Sequence, residues 1–447
     1  MKKLPLAIWA MVIGAFAMGA DEFIVAGVVR EISAALDVSI GAVGHLESVY
    51  ALGVAIGAPL FTALGTRFGR RSMLFSTTGV FLVGNLISAL GPTYEWILAG
   101  RVVSAMAHGA FLGIAAVFAA ELVEPARKGR AVALVFSGLT ASTVLGAPIG
   151  SAIGQAFGWR FTFWTLVVFG GIALLGLVAS LPASGPRGVA PDPIDDSALD
   201  HAHEHAHDSA GDDDAFEGLD AHALAHLGGG GQGPTIKEQA AALARPAVWA
   251  ALLSTLLGYG GVFTSYVYIA PQLTDVTGLD EVWITPLLLL FGAGLFVGNM
   301  VGGKVADRDL RAAVLGSLAL LAVVLFAMTF AVHSAVATVV MMFVFGAAAF
   351  AVVAPLQLRV MSAAGHAPDV ASAANISAFT LGSAIGIYLG GAAIDSGLGL
   401  ASVNWIGGLI TTAGLLVAVV TYRAVGVDAV SVDIVDAGHV SGHEHVH

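Results

Sequence analysis

Six side chains that can bind, release or steady a proton lie inside apolar stretches of this 447-residue chain: Asp21, Glu22, His45, Glu47, Arg101 and His108. An ionised group held at bilayer depth costs about 2.5–3.5 kcal/mol even on the lenient insertion scale, so each of them needs a purpose. Loss of hydration favours the neutral form of a carboxylate and a nearby guanidinium favours the charged form. An acid beside Arg101 can therefore trade its proton as water enters or leaves. Glu22 is the first candidate carrier and Asp21 the second, with Arg101 tuning them and His45 or Glu47 relaying. Residues 21 and 22 point about 100° apart on a helix, so one of the two is expected to face a cavity. The competing reading is a satisfied structural ion pair. No nucleophile, base and orienting partner can be assembled into a catalytic set, and no phosphate loop occurs, so an enzyme is not expected.

The elements that must position these groups are long and apolar. Hydrophobic residues make up 57% of the chain and charged ones 11%, well below the charge content of a soluble domain. Twelve stretches are long enough to cross a bilayer. They fall near 6–29, 41–64, 73–91, 95–120, 130–154, 160–181, 247–271, 283–303, 312–332, 334–358, 370–394 and 402–424. The count depends on splitting the ninth from the tenth at His333 and Ser334. The predicted fold is an all-α membrane protein.

Lys and Arg collect in cytoplasmic loops, and with both termini inside, sixteen of the nineteen basic residues fall on the inner side. That topology puts Asp21, Glu22, His45, Glu47 and Arg101 at one depth in the outer leaflet, with His108 about two turns deeper. The opening Met-Lys-Lys and apolar run is too long for a signal peptide, because it continues past Glu22 to about Val29. The chain contains no cysteine, which excludes disulfide and thiol chemistry.

An internal repeat sharpens the architecture. Shifted by about 240 residues, Tyr50, Gly53, Gly57 and Arg67 overlie Phe291, Gly294, Gly298 and Arg308, and Gly146 and Gly150 overlie Gly386 and Gly390. Two parallel-related six-helix halves, 1–181 and 246–424, are expected, joined by a long loop at 182–245 and followed by a tail at 425–447. Transporters that rock one half against the other around a midplane site are built this way. Gly65-Thr66-Arg67-Phe68-Gly69-Arg70-Arg71 and Gly303-Lys304-Val305-Ala306-Asp307-Arg308 resemble the two inner-loop motifs of the major facilitator superfamily, and Leu98-Ala99-Gly100-Arg101 resembles its intramembrane arginine motif. Thr66 stands where the family usually has Asp, and Ser104 and Ala105 replace its usual Gln-Gly pair. Gly138, Gly146, Ala147-Pro148-Ile149-Gly150 and Gly154 are similar to the motif of its exporters. Gly19-Ala20-Asp21-Glu22-Phe23 resembles the sugar-efflux and chloramphenicol-efflux permeases within its twelve-span drug:proton antiporter branch.

The resemblance implies the major facilitator fold and a proton-coupled exporter of small organic compounds in the plasma membrane, working by alternating access. Arg67, Arg70, Arg71, Asp307 and Arg308 would then serve an inner gate, with Gly146, Pro148 and Gly150 shaping a bendable helix. The second half shows no acid within its spans. Its polar set suits hydrogen bonding to an uncharged or weakly charged molecule beside apolar walls; His108, Tyr259, Tyr266, Asn299 and Asn375 are the candidate substrate contacts.

Two acidic appendages account for the net charge of −12: twelve acids against three bases in 182–245, and four acids with no base in 425–447. Both read as disordered. They carry His201, His203, His205, His207, His443, His445 and His447, interleaved with carboxylates that can gather zinc, nickel or cobalt. Adventitious metal binding by a His/Asp-rich linker is the blander reading, and a divalent-metal efflux carrier the functional rival. A membrane sensor without transport is the third reading. The expected partners are protons, a small-molecule substrate and the lipid bilayer, with no nucleic acid and no cofactor; a monomer is expected.

Overall fold

A computed structural model describes residues 5–65, 68–124, 127–181, 241, 243–365 and 368–424. Those residues form helices joined by short turns, with no strand among them, and twelve spans are long and apolar enough to cross a membrane. The first half consists of α1 (Leu6–Phe23), α2 (Val29–Leu36), α3 (Ile40–Gly65), α4 (Arg70–Leu90), α5 (Tyr94–Glu121), α6 (Lys128–Phe157) and α7 (Arg160–Ser180). The second consists of α8 (Pro246–Tyr266), α9 (Ile284–Arg308), α10 (Leu310–Ala331), α11 (Ala335–Ala351), α12 (Val353–Ala364), α13 (Pro368–Ala393) and α14 (Ser402–Ala424). The ninth and tenth spans do separate at His333 and Ser334, and several spans run a turn beyond the expected edges. Leu175, Phe330 and Val336 are 70%, 79% and 78% exposed, apolar surface that lipid can cover.

Two elements differ from the sequence expectation. The first span is not one helix to Val29: α1 stops at Phe23, passes through a tight 3-10 turn at Ile24–Gly27 and restarts as α2. Gly27 lies against α6, where a Cβ would come within 2.5 Å of the Ala147 carbonyl. The eleventh span continues through a π-helical turn at Ile394–Leu398 and so carries an acid, Asp395, at its end.

Small residues set the packing. Along α6, Gly138, Gly146, Gly150 and Gly154 meet Val12, Ala20, Ile24 and Val28 in turn. In the second half, Gly382, Gly386 and Gly390 of α13 meet Leu256, Gly260 and Thr264 of α8. The offset along the two partner segments is the same at every one of these contacts and identical in both halves. The pairs are therefore parallel and in register, as the repeat requires. A Cβ at Gly150 would sit 2.6 Å from the Ile24 carbonyl, so only glycine permits that approach.

The halves meet at one end of the bundle. Arg30 of α2 pairs with Glu281 at 3.0 Å and Asp275 at 3.3 Å, and Gln155 Nε2 donates to the Glu281 carbonyl at 2.8 Å. Ser39 donates to Asp395 at 3.0 Å, and Thr285 donates to Ser151 at 3.0 Å. Gly44 makes room for the Tyr268 ring. Pro148, inside α6, lacks the N–H that would bond the carbonyl four residues back, and Gly292 of α9 packs against that residue, Val144.

Candidate functional site

Arg101 on α5 is fully buried, and three helices converge on it. Gly100 and Gly84 let α4 and α5 approach so closely that a Cβ at Gly100 would lie 2.6 Å from the Gly84 carbonyl. That approach seats Asn85 of α4 beside the end of α1. Arg101 Nη1 donates to Asp21 Oδ1 at 2.5 Å and to the Asp21 carbonyl at 2.8 Å, while Nη2 donates to Glu47 Oε1 at 2.7 Å. Asn85 Nδ2 donates to the other Asp21 oxygen at 3.1 Å. The Tyr50 ring lies under the guanidinium, its centroid 3.9 Å from Cζ, a cation–π contact that offsets desolvation. Glu47 and Tyr50 are three residues apart and share one face of α3.

Tyr50 also links His108 to the cluster. Its hydroxyl is 3.2 Å from the Met18 carbonyl and 3.0 Å from His108 Nδ1. A phenol has one proton; with it on the Met18 carbonyl, Nδ1–H of His108 is the donor to the Tyr50 oxygen.

Glu22 stands apart from this network. It is half-buried, has no ion pair among the described residues, and couples electrostatically to Arg101 and Asp21 on one side and to Tyr259 and Tyr266 of the second half on the other. His45 does not join the Arg101 cluster. Two residues apart on a helix point roughly 200° apart, so with Glu47 facing Arg101, His45 faces the other half, its ring stacked on Tyr388 at 5.1 Å. Its Nε2 is buried without a partner.

This geometry sits in a chain whose residues 11–387 match the family model of the Major Facilitator Superfamily. The chain belongs to that superfamily. It is 37% identical over 421 residues to the inner membrane transport protein YdhP of Escherichia coli K12, covering 94% of this chain and 97% of that one. It is 32% identical to the chloramphenicol resistance protein of Streptomyces lividans, covering 93% and 96% of the two chains. Among solved structures it resembles a D-xylose–proton symporter with a TM-score of 0.66 and 16% identity, over 94% of this chain and 97% of that chain, which speaks for the fold. It is thus a multi-pass membrane transporter and not an enzyme.

The remaining candidates of this superfamily member fall in different places. Tyr259 and Tyr266 are buried in an aromatic group: Tyr266 stacks on Phe291 at 4.8 Å and meets Phe23 of the first half edge-on at 6.0 Å, and Tyr259 meets Phe379 at 4.7 Å. Asn375 Nδ2 donates to Gln357 at 2.7 Å, and Gln357 donates to Ser372 at 2.6 Å. The Asn375 amide oxygen is buried without a donor. Asn299 is exposed and separate from both groups. Arg70 pairs with Glu121, and Arg71 donates to the Leu181 carbonyl at 3.2 Å. Asp307 and Arg308 are exposed at the end of α9. Gly146 and Gly150 lie where α6 packs on α1 and the turn that follows it, and Pro148 is buried within α6 between them. Arg67 and all seven candidate metal-ligating histidines lie outside the described residues.

Asn85 and Tyr50 were missed as cluster members by the sequence reading, as was a second buried network in which Ser265 donates to Asn404 at 2.5 Å and Asn404 donates to Gln272 at 2.7 Å. The only signal for them was a neutral polar side chain within an apolar run.

Proposed function

We propose that this transporter is a proton-coupled exporter of small organic compounds, with Glu22 as the proton carrier and the Asp21–Arg101–Glu47 cluster as the element that senses its charge. The observation that carries this reading is the division of labour among the acids. Arg101 is occupied by two carboxylates, which leaves Glu22 as a half-buried acid without an ion pair, set between that cluster and the aromatic side chains of the other half. Three carboxylates against one guanidinium leave two negative charges uncompensated when all are ionised, and protonation is what removes them. A carrier must exchange its proton with water at a barrier that other residues set, and a buried acid held by a charge-assisted hydrogen bond from Arg101, as Asp21 and Glu47 are, is poorly suited to that. Tyr259, Tyr266 and Phe263 supply flat apolar walls with hydroxyl groups, suited to an amphipathic organic molecule. The direction of transport rests on the α6 glycine and proline pattern and on the likeness to a chloramphenicol resistance protein.

The test is resistance profiling in an efflux-deficient bacterial host against a compound panel that includes chloramphenicol. Expression should raise tolerance to at least one organic compound, an uncoupler should abolish the gain, and Glu22→Gln should abolish it too. Tolerance to nickel or zinc alone, lost on deleting residues 195–227 and 439–447, would replace this reading with metal efflux through the histidine tracts.

A further inference from the structure

A groove of about 180 Å³ lies between α9 and α10, on the half of the molecule without the buried charge cluster. Val301 and Val305 of α9, Gly316 and Leu320 of α10 and Pro355 of α12 line it. Val301, Val305 and Leu320 are 52%, 39% and 49% exposed, so the groove opens outward. Gly316 is not there to let a helix approach: a Cβ at that position would meet nothing within 4 Å. A helical glycine in open space gives up stability relative to alanine, and what it leaves here is room.

The groove ends at a tight hairpin, since Asp309 alone separates α9 from α10. Lys304 follows Val301 by three residues, Arg308 follows Val305 by three, and Arg311 adjoins Ala312 in the groove wall, so three cations ring that end. None of the three has an ion pair among the described residues. Asp309 is committed to capping α10, accepting from the Ala312 N–H at 2.9 Å. One turn beyond Pro355, Arg359 is 6% exposed and both its terminal nitrogens lack an acceptor; its Cζ lies 4.8 Å from the Tyr422 ring, which Arg311 faces at 5.7 Å. Positive charge at this end is in surplus.

We propose that the groove binds one anionic phospholipid, an acyl chain lying along α10 from Ala312 toward Leu320 and the phosphodiester held by Lys304, Arg308 and Arg311. The wall from Ala312 to Leu320 is about 12 Å long, most of the depth of one leaflet. Basic residues at a headgroup-level crevice between spans are the chemistry that selects anionic lipids. A zwitterionic lipid brings its own ammonium and leaves the surplus unanswered. A second copy of this chain would bring the same three cations against themselves.

The experiment is native mass spectrometry of the full-length protein after delipidation and exposure to equimolar phosphatidylglycerol and phosphatidylcholine. One phosphatidylglycerol should be retained in preference. Lys304→Glu with Arg311→Glu should lower its retention at least about fivefold. Gly316→Phe should lower retention of both lipids while leaving the melting temperature in lipid-free detergent unchanged, and this arm stands if the charge-reversed protein does not fold. Equal retention of the two lipids, phosphatidylglycerol retention unchanged in Gly316→Phe, or a lipid-free dimer that Gly316→Phe disperses would each overturn the proposal.

Discussion

Arg101 is the residue on which the first half turns, because its two terminal nitrogens hold Asp21 and Glu47, and Asp21 in turn accepts from Asn85. Truncation to Ala would leave Asp21 and Glu47 buried without a cation, so Arg101→Ala should cost about 3–5 kcal/mol and lower the melting temperature sharply, while Arg101→Lys keeps the charge but loses the two-sided donation and should fall between. Tyr50 separates two contributions. Tyr50→Phe keeps the ring beneath Arg101 and removes only the hydroxyl contacts, a loss of about 0.5–1.5 kcal/mol, whereas Tyr50→Ala also opens a cavity and should cost more than twice as much, both read by thermal unfolding. Asp21, Glu47 and Arg101 were legible in the sequence because charge inside an apolar run is conspicuous. Asn85 and Tyr50 were not, since a neutral polar side chain in a span is as often a local hydrogen-bond partner as a member of a site. His45 misled for a geometric reason: it shares a depth with Glu47 but not a helix face.

At the scale of the element, glycines divide into those that admit another helix and those that do not. Gly150→Leu should abolish folding or transport, because the new side chain would meet the Ile24 backbone, and Gly386→Leu should do the same at the Gly260 backbone in the other half. Gly171→Ala on α7, with nothing within 4 Å of the new Cβ, should be neutral or stabilise by about 0.4–1 kcal/mol; expression yield and melting temperature distinguish the two kinds. The twelve spans and the four-residue spacing of small side chains were readable because length and period are sequence properties. The break at Ile24–Gly27 was not, for no proline marks it; it follows where α6 draws the chain close at Gly27.

Across the whole molecule, the two halves share a packing register but not a chemistry. Carried over by the repeat, Glu47, Tyr50 and Arg101 of the first half correspond to Leu288, Phe291 and Met342, all buried in the apolar core of the second. One half holds the buried charge cluster and the other a buried aromatic group, and contacts between the halves gather at the Arg30 end. Surface pairs there are worth about 0.2–1 kcal/mol each, so Asp275→Asn with Glu281→Gln should shift the population toward the state open at that end by a few-fold. Spin labels on paired engineered cysteines would read the distance cleanly, because the native chain has none. The account depends most on Glu22 being the acid whose proton is exchanged for substrate movement. In proteoliposomes, with a compound to which expression confers resistance, Glu22→Gln should retain counterflow at near the native rate and lose all accumulation driven by a pH gradient. Accumulation at the native level in that variant would contradict it.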